Sequence, residues 1–527
     1  MLFFKDKKFN LRNLYPKLFV LASGILMGLA PAPVNAWYLA WVALAPLWLL
    51  IRDRQKSFRS KFLLALLWGA GYHGTALFWL TGLHPMTWMG VPWLASIFIA
   101  LFCWIFVTLW GAALVSSWSI LFAYLNQKLP VKADKIFIPQ ILFNVLLGVT
   151  LWCCLETIWS YGSLWWSSLS YTQSPSNLII LHLGQLSGFN TVTATLVIIN
   201  GLIAEVVIFW QDLSRSKEKI IAIALPIFLF ISCHLVGFYL YKVPIEKDNL
   251  QAIRFGIIQG NVPNEIKLYP PGFRKAIAGY TSGYKKLTQQ GVDIVLTPET
   301  ALPFYWKSII SNSSFYKAVL QEKVPALIGA FGTEGRSFTN SLFTLTGDGE
   351  TLSRYDKYKL VPFGEYIPFE SVLGKIINRL SPLDSHLAAG KSQQIFETPF
   401  GQAIVGICYE SAFADHFRRQ TKAGGQFIIT ASNNAHYSDT MPAQHHAQDV
   451  MRAIESDRWT VIATNTGYSA IVDPRGHTIW LSDINEYEIH AETIYQRNNQ
   501  NLYVRYGDWL TPLLLLSSTL FSLVKLR

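Results

Sequence analysis

Cysteine is scarce in this chain, five in 527 residues, and four of the five (Cys103, Cys153, Cys154 and Cys233) fall in long apolar stretches. There a cysteine behaves as a small hydrophobe. Cys408 alone stands in sequence of soluble character, with no disulfide partner there, so it is either an inert core thiol or a nucleophile. A Gly-rich phosphate loop is also missing, since Gly329-Ala330-Phe331-Gly332 reads as the end of a strand. The three histidines His436, His445 and His446 match no zinc spacing. Neither a metal nor a cofactor is expected. Charge is sparse at 15%, and it is unevenly placed: nearly everything before Tyr241 is membrane-like, whereas residues 250–498 are not.

What is abundant is apolar sequence, 51% hydrophobic residues with a mean hydropathy of +0.28, which excludes an ordinary soluble protein. Apolar runs predict eight transmembrane helices at residues 18–29, 37–51, 62–80, 91–125 (overlong), 136–158, 178–210, 220–241 and 510–524. The first two and the last are marginal for about 30 Å of hydrocarbon. The expected division is a membrane domain over 1–245, an outer domain over 250–498 and a final helix over 505–527.

Lysine and arginine settle the orientation. Lys5, Lys7, Lys8, Arg12 and Lys17 precede the first span, and Arg52, Arg54, Lys56, Arg59 and Lys61 lie between the second and third. Lys128, Lys132 and Lys135 follow the fourth, Arg215, Lys217 and Lys219 the sixth, and Lys525 and Arg527 the eighth. The turns at 30–36, 81–90 and 160–177 contain neither residue type. The positive-inside rule then puts both termini in the cytoplasm and the outer domain on the other side. The net charge of +11 is therefore a topology signal, and nucleic-acid binding is not needed to explain it. The start loosely resembles a signal peptide, but Pro31, Pro33 and the apolar run resuming at Trp37 favour a hairpin of two helices.

Within the membrane half, Glu156 and Glu205 are the notable carboxylates, and such residues are functional candidates by default. Glu205, near the cytoplasmic end, is expected to reach the interface. The tryptophans read as interfacial anchors, and His73 among Gly69, Gly71 and Gly74 as helix packing. In the outer domain, strands are expected at 253–259, 294–297, 326–330, 341–345, 403–408, 427–430, 460–464 and 469–473. Helices are expected at 274–289 and 444–458, the latter with Ala447, Val450, Met451 and Ile454 on one face. Residues 369–380 carry an apolar stripe at helical spacing, either core cover or an amphipathic arm hinged at Gly374 and Gly390.

Three stretches carry the chemistry. The strand at 293–297 runs into Pro298 and Glu299; Lys357 precedes an apolar segment broken by Pro362; and the strand at 403–407 ends at Cys408. A thiol there sits beside free backbone N–H groups that favour a thiolate and can hold an oxyanion. A carboxylate, an ammonium and a thiol, each at the end of its own element, suit a base, an oxyanion stabiliser and a nucleophile. A Glu299–Lys357 ion pair beside an unrelated cysteine uses the same residues.

Glu in Pro-Glu-Thr, Lys in Tyr-Asp-Lys before Leu-Val-Pro-Phe-Gly-Glu, and Cys in Cys-Tyr-Glu, in that order, resemble the Glu-Lys-Cys triad of the nitrilase superfamily. The forms VPFGEYIP and ICYE resemble the apolipoprotein N-acyltransferases. The resemblance implies a four-layer αββα sandwich attached to the membrane helices. Glu299 would be the base and Cys408 the nucleophile, with Lys357 and the Tyr409 backbone N–H steadying the oxyanion. Glu365 would orient Lys357 or relay protons, and Glu410 would brace the turn. It further implies a monomer of the bacterial inner membrane that moves an acyl chain from a phospholipid to the α-amino group of a diacylglyceryl-cysteine on an apolipoprotein. A membrane-tethered carbon–nitrogen hydrolase, releasing its thioester to water, fits the same triad. A transporter with an inactive outer domain would explain the helices but not an intact triad. Two segments depart from the family pattern: 164–173, which lacks a proline, and Ser432-Asn433-Asn434-Ala435-His436-Tyr437, where the family has SNDAWF.

Overall fold

The computed structural model describes residues 11–129, 137–211, 213, 216–245, 251–362, 364–366, 387–435 and 438–526. The stripe at 369–380 and His436 lie outside these.

The N-terminal half is helical: α1 (Leu11–Gly28), α2 (Ala45–Arg52), α3 (Phe58–Ala76), α4 (Trp93–Lys128), α5 (Phe137–Ser160), α6 (Phe189–Phe209) and α7 (Ser216–Tyr241). Four stretches are long and apolar enough to cross a membrane: Trp93–Lys128, Ile138–Ser160, Phe189–Phe209 and Lys217–Tyr241. Leu14–Gly28, Trp37–Arg52, Leu178–Ser187 and Leu510–Leu523 are apolar but shorter.

Three of the expected spans are not continuous helices. Residues 37–51 open with a 3₁₀ turn, Trp37–Trp41, before α2 begins. The break is tolerated because Asn200 Oδ1 accepts from the N–H groups of Leu44 (2.9 Å) and Ala45 (3.0 Å), satisfying donors that a buried helix start leaves orphaned. Residues 178–210 divide at Gly188, whose φ of +74° ends one short helical turn before α6 starts. Residues 62–80 become α3, which starts earlier at a Ser57 cap, stops at Ala76 and passes into a 3₁₀ turn, Phe78–Leu83. The overlong α4 is one helix of 36 residues, about 54 Å at 1.5 Å per residue, against the roughly 30 Å of hydrocarbon that a span needs.

Neither membrane carboxylate reaches water. Glu205 is fully buried and accepts from Arg52 Nε (2.7 Å), Trp48 Nε1 (2.8 Å) and Asn144 Nδ2 (2.8 Å), tying α2, α5 and α6 together. The expected reach to the interface is therefore replaced by a buried ion pair, because Arg52 comes to meet it. Glu156 accepts from the Leu169 N–H (3.0 Å) and holds the turn Leu169–Gln173. His73 packs over Gly111 of α4 and hydrogen-bonds Ser167 Oγ through Nδ1 (2.9 Å).

The outer half contains twelve described strands in two six-stranded sheets. The first sheet has the order β12 (Glu488–Tyr495), β1 (Ala252–Gln259), β2 (Ile294–Leu296), β3 (Ala326–Glu334), β4 (Ser337–Leu345), β5 (Thr351–Asp356). The second has the order β11 (Thr478–Leu481), β10 (Ala470–Val472), β9 (Thr460–Thr464), β8 (Phe427–Ser432), β7 (Gly401–Ile407), β6 (Phe396–Thr398). Phe255, Ile257 and Leu296 of one sheet meet Val405, Ile407 and Ile429 of the other in a dry core. The outer face of the first sheet is covered by α8 (Pro270–Gln289) through Tyr280, Tyr284 and Leu287. The second sheet is covered by α9 (Ala414–Lys422) and α10 (Thr440–Ser456). This is a helix–sheet–sheet–helix sandwich, and the chain then leaves through α11 (Leu510–Leu526).

Helix α10 shows the expected apolar face of Ala447, Val450, Met451 and Ile454, but its polar side is buried too, including Gln444, Gln448, Arg452 and Glu455. The reason is that α10 is shared by the two halves. Gln444 Oε1 accepts from Trp79 Nε1 (3.0 Å) and Trp166 Nε1 (2.9 Å), and its Nε2 donates to Ala76 O (2.8 Å). These two tryptophans are therefore joints between the halves and not anchors at a lipid interface. Gly329 to Gly332 lie inside β3 and not at its end, since β3 and β4 form a long hairpin.

Candidate active site

The ends of the two sheets bring the predicted residues together. Glu299 follows β2, Lys357 follows β5, and Cys408 follows β7, opening the 3₁₀ turn Cys408–Ala412. Lys357 Nζ donates to Glu299 Oε1 and to Glu365 Oε1, both at 2.9 Å. Asn340, from the middle of β4, donates through Nδ2 to the same two carboxylates at 2.6 and 3.2 Å. The Val361 N–H donates to the other oxygen of Glu365 at 2.8 Å. All four groups and Cys408 line one cavity.

Cys408 has φ of +53°, in the left-handed region that non-glycine residues seldom occupy. Such strain persists only where the surroundings impose it. Here the Cys408 carbonyl is bonded to His445 Nε2 (3.0 Å), and His445 Nδ1 meets Asn434 Oδ1 (3.3 Å). Glu410, two residues on, is fully buried and takes four donors. Its Oε2 accepts from Ile407 N (2.7 Å) and Tyr355 Oη (2.9 Å), and its Oε1 from Tyr358 N (2.6 Å) and Lys359 N (3.0 Å). It therefore staples the cysteine turn to the segment that carries Lys357. Tyr409 stacks on Trp166 and donates its hydroxyl to the carbonyls of Ser163 (2.7 Å) and Trp165 (2.8 Å). The loop at 163–166 of the membrane half thus grips the residue next to the thiol.

The electrostatics follow from burial. Burial pushes the Cys408 thiol well up, and the Glu299 charge adds to this; Lys357 and the Asn433 backbone N–H offset it only in part. Burial alone would raise Glu299 as well, but the Lys357 ammonium, Lys267 and the Asn340 amide outweigh it and hold the carboxyl below its ordinary range. Burial likewise opposes the Lys357 charge, yet Glu299 and Glu365 keep it protonated. Glu365 is pushed up by burial and by Glu299. At rest, then, the arrangement is a neutral thiol beside an ionised carboxylate and a fixed ammonium. That is what base-assisted nucleophilic attack requires.

The cavity encloses about 360 Å³. One wall is polar, with Glu299, Lys357 and Cys408; the other comes from the membrane half, with Trp79, Leu80 and Met86 and, from α4, Phe102, Phe106 and Val107. Helix α4 thus shares the cavity with the thiol.

Sequence reasoning missed Asn340, Asn433, Lys267 and the bracing role of His445. Asn340 stands between Thr339 and Ser341 in a strand of mixed character, so nothing local marks it out; the others depend on contacts between distant segments. Gly390 is tied to the segment that carries Lys357: its N–H donates to Lys357 O (2.8 Å), and a Cβ there would strike the Asp356 carbonyl at 2.2 Å. Among the described residues no cluster could hold a metal ion.

Residues 23–202 match the family model for the apolipoprotein N-acyltransferase N-terminal domain, and residues 269–496 that for carbon-nitrogen hydrolase. A protein named apolipoprotein N-acyltransferase from Nostoc sp. is 54% identical over 492 residues, covering 93% of this chain and 95% of that one. The protein of the same name from Synechocystis sp. is 49% identical, covering 94% and 98%. That from Thermosynechococcus vestitus is 41% identical, covering 92% and 91%. With both halves matched and the likeness running nearly end to end, the chain belongs to the apolipoprotein N-acyltransferase family.

Proposed function

We propose that this acyltransferase takes a fatty acyl chain from a phospholipid onto Cys408 and passes it to the α-amino group of an S-diacylglyceryl-cysteine on an apolipoprotein. The observation that carries the reading is the cavity: a buried thiol, carboxylate and ammonium share it with an apolar wall built from the membrane half. A soluble amide needs no such wall, whereas an acyl chain does.

In the first half-reaction, Cys408 Sγ attacks the ester carbonyl carbon while Glu299 takes the thiol proton. Lys357 and backbone N–H groups of the cysteine turn, Tyr409 among them, hold the oxyanion. The C–O bond then breaks, and the proton passes from Glu299 to the departing glycerol oxygen. In the second, the amine attacks the thioester, Glu299 takes its proton, and as the C–S bond breaks and the amide forms Glu299 returns that proton to the sulfur, restoring the thiol. Glu365 keeps Lys357 in place, and Glu410 keeps the two segments in register.

The proposal includes the topology. Eight segments cross the bilayer, five of them shorter or broken, with both termini cytoplasmic and the sandwich on the extracytoplasmic side. The basic loops support this orientation. Insertion itself is supported by the exposed apolar residues of α4 and α7, such as Phe98, Ile105, Phe228 and Leu235, which suit lipid. One chain supplies every group of the site, so a monomer suffices.

The test is incubation with labelled phospholipid and a diacylated lipopeptide, followed by mass spectrometry of both protein and peptide. Acyl-Cys408 and triacylated peptide are expected. Free fatty acid with unmodified peptide would make the protein a hydrolase and sink the reading.

A further inference from the structure

Two polar side chains in the cavity touch no reacting atom in the chemistry above, although the charge of one, Lys267, helps to keep Glu299 ionised. Asn264 and Lys267 belong to the helical turn Asn264–Lys267, line the cavity beside Cys408, and are only 6% and 5% exposed. Lys267 Nζ donates to the backbone carbonyl of Glu299 at 3.1 Å and forms no ion pair with a carboxylate among the described residues. Glu299 Oε1 is already engaged by Lys357 and Asn340. A buried ammonium with one neutral acceptor is costly unless a further partner arrives.

Asn264 is poised in the same sense. The Val262 N–H donates to Asn465 Oδ1 (3.0 Å), which fixes that amide's orientation. Asn465 Nδ2 then donates to Asn433 Oδ1 (3.0 Å), and Asn433 Nδ2 to Asn264 Oδ1 (3.1 Å). A backbone donor thus polarises the whole relay, and it ends on Asn264 Nδ2, a buried donor with no partner among the described residues. The same Asn433 offers its backbone N–H to the Cys408 sulfur. Both spare donors are therefore close to the reacting thiol.

We propose that Lys267 and Asn264 form a subsite for the phosphodiester of the acyl donor. This rests on the phospholipid reading above and extends it. The scissile ester and the phosphodiester of a glycerophospholipid sit on one three-carbon glycerol. A cation and an amide donor beside the thiol can therefore hold one while the other reacts. The acceptor amine is a poorer fit, because an ammonium repels its protonated form. Burial holds Lys267 down to about 8, with Glu299 and Cys408 opposing; an incoming phosphate anion would hold its charge more firmly.

The experiment measures single-turnover acylation of Cys408 in the full chain by intact-protein mass spectrometry. Two donors carry the same acyl chains: phosphatidylglycerol, and the 1,2-diacylglycerol that lacks the phosphodiester. The ratio of the two rates is the readout. Lys267→Met is expected to cut it by about tenfold to a hundredfold, the worth of a hydrogen bond to a charged group, and Lys267→Arg to restore most of it. Should Lys267→Met not fold, Asn264→Asp carries the test, since its carboxylate would repel the diester and also lower the ratio. An unchanged ratio in the folded variants, or equal rates with both donors in the natural protein, would overturn the subsite while leaving the phospholipid reading intact. Acylation by a soluble acyl thioester but never by phosphatidylglycerol would instead overturn the phospholipid reading itself. Inorganic phosphate is expected to slow acylation by phosphatidylglycerol more than by diacylglycerol; equal inhibition with both donors, abolished by Lys267→Met, would assign the site to a free anion and refute the donor subsite.

Discussion

Glu410 separates a group that holds the site from one that reacts in it. Replacing it by alanine removes the acceptor of four donors. Tyr355 Oη keeps a second partner in His416 Nε2 at 2.8 Å, so its loss is small. The Ile407 N–H is fully buried and would be left unpaired, at about 1–3 kcal/mol; Tyr358 and Lys359 are part-buried, water can reach them, and each loses about 0.5–1.5 kcal/mol. The expected destabilisation is about 2–6 kcal/mol, a large share of the usual 5–15 kcal/mol or so. Glu410→Gln fares little better, because its amide nitrogen must face two donors. The assay is the thermal inactivation rate in detergent at fixed protein concentration, since a membrane protein of this size unfolds irreversibly. Alongside it, Cys408 acylation is followed at a temperature where the variant is still folded. Both should suffer, stability first. Lost acylation with an unchanged inactivation rate would refute the bracing argument and give Glu410 a chemical role.

Cys408→Ser should abolish acyl-enzyme formation while leaving the protein folded, because an alcohol beside a carboxylate base is a far weaker nucleophile; turnover by the serine variant would remove Cys408 from the mechanism. Lys357→Met should slow both half-reactions by roughly 10²–10³ through loss of an oxyanion donor, and pre-steady-state kinetics that show only the second slowed would contradict this. Lys267, held down to about 8 by burial, carries its charge below that pH and loses it above. The phospholipid-to-diacylglycerol ratio of kcat/KM should therefore be flat below about pH 8 and fall as pH rises; a ratio that climbs with pH would reverse the assignment. Arg52→Met should cost about 3–5 kcal/mol by stranding the buried Glu205 carboxylate, read as faster thermal inactivation, and a variant as durable as the natural protein would show that the pair contributes nothing.

How much of this was legible in the sequence depends on how local each feature is. Glu299, Lys357 and Cys408 each end a strand, and strand ends are written in short runs such as Ala403 to Ile407 followed by polar residues. Apolar length gave the helices, but it could not show where they break. That is decided by Asn200 reaching from α6 to cap α2 and by Gly188 turning the chain. The sheet edges were missed: β5 and β12 are partly exposed and carry charges that hide their period, while β6 and β11, at three and four residues, are too short to show one. Glu205 looked interfacial because Arg52 lies 153 residues away in the chain. The polar underside of α10 was unreadable for a similar reason, since its partners Trp79 and Trp166 belong to the other half.

The site's charges explain why two carboxylates accompany one lysine. In the proposed attack, Glu299 gains a proton and the substrate oxygen gains a negative charge, so the charge moves but its sum does not change. A buried, poorly solvated site can tolerate movement of charge far better than its creation. Once protonated, however, Glu299 no longer anchors Lys357, just when the ammonium must face the oxyanion. Glu365, equidistant from Nζ at 2.9 Å, remains to hold it, and Asn340 spans both carboxylates so that neither can drift when the other changes state. The strained turn at Cys408 serves the same end. With its carbonyl fixed by His445 and its neighbour Tyr409 fixed by the membrane half, the backbone that carries the sulfur is held in place as the thiol loses its proton. Deprotonation is then tied to attack on a substrate lying in the cavity, and the resting thiol, pushed up by burial, stays unreactive until an acyl group is there to receive it.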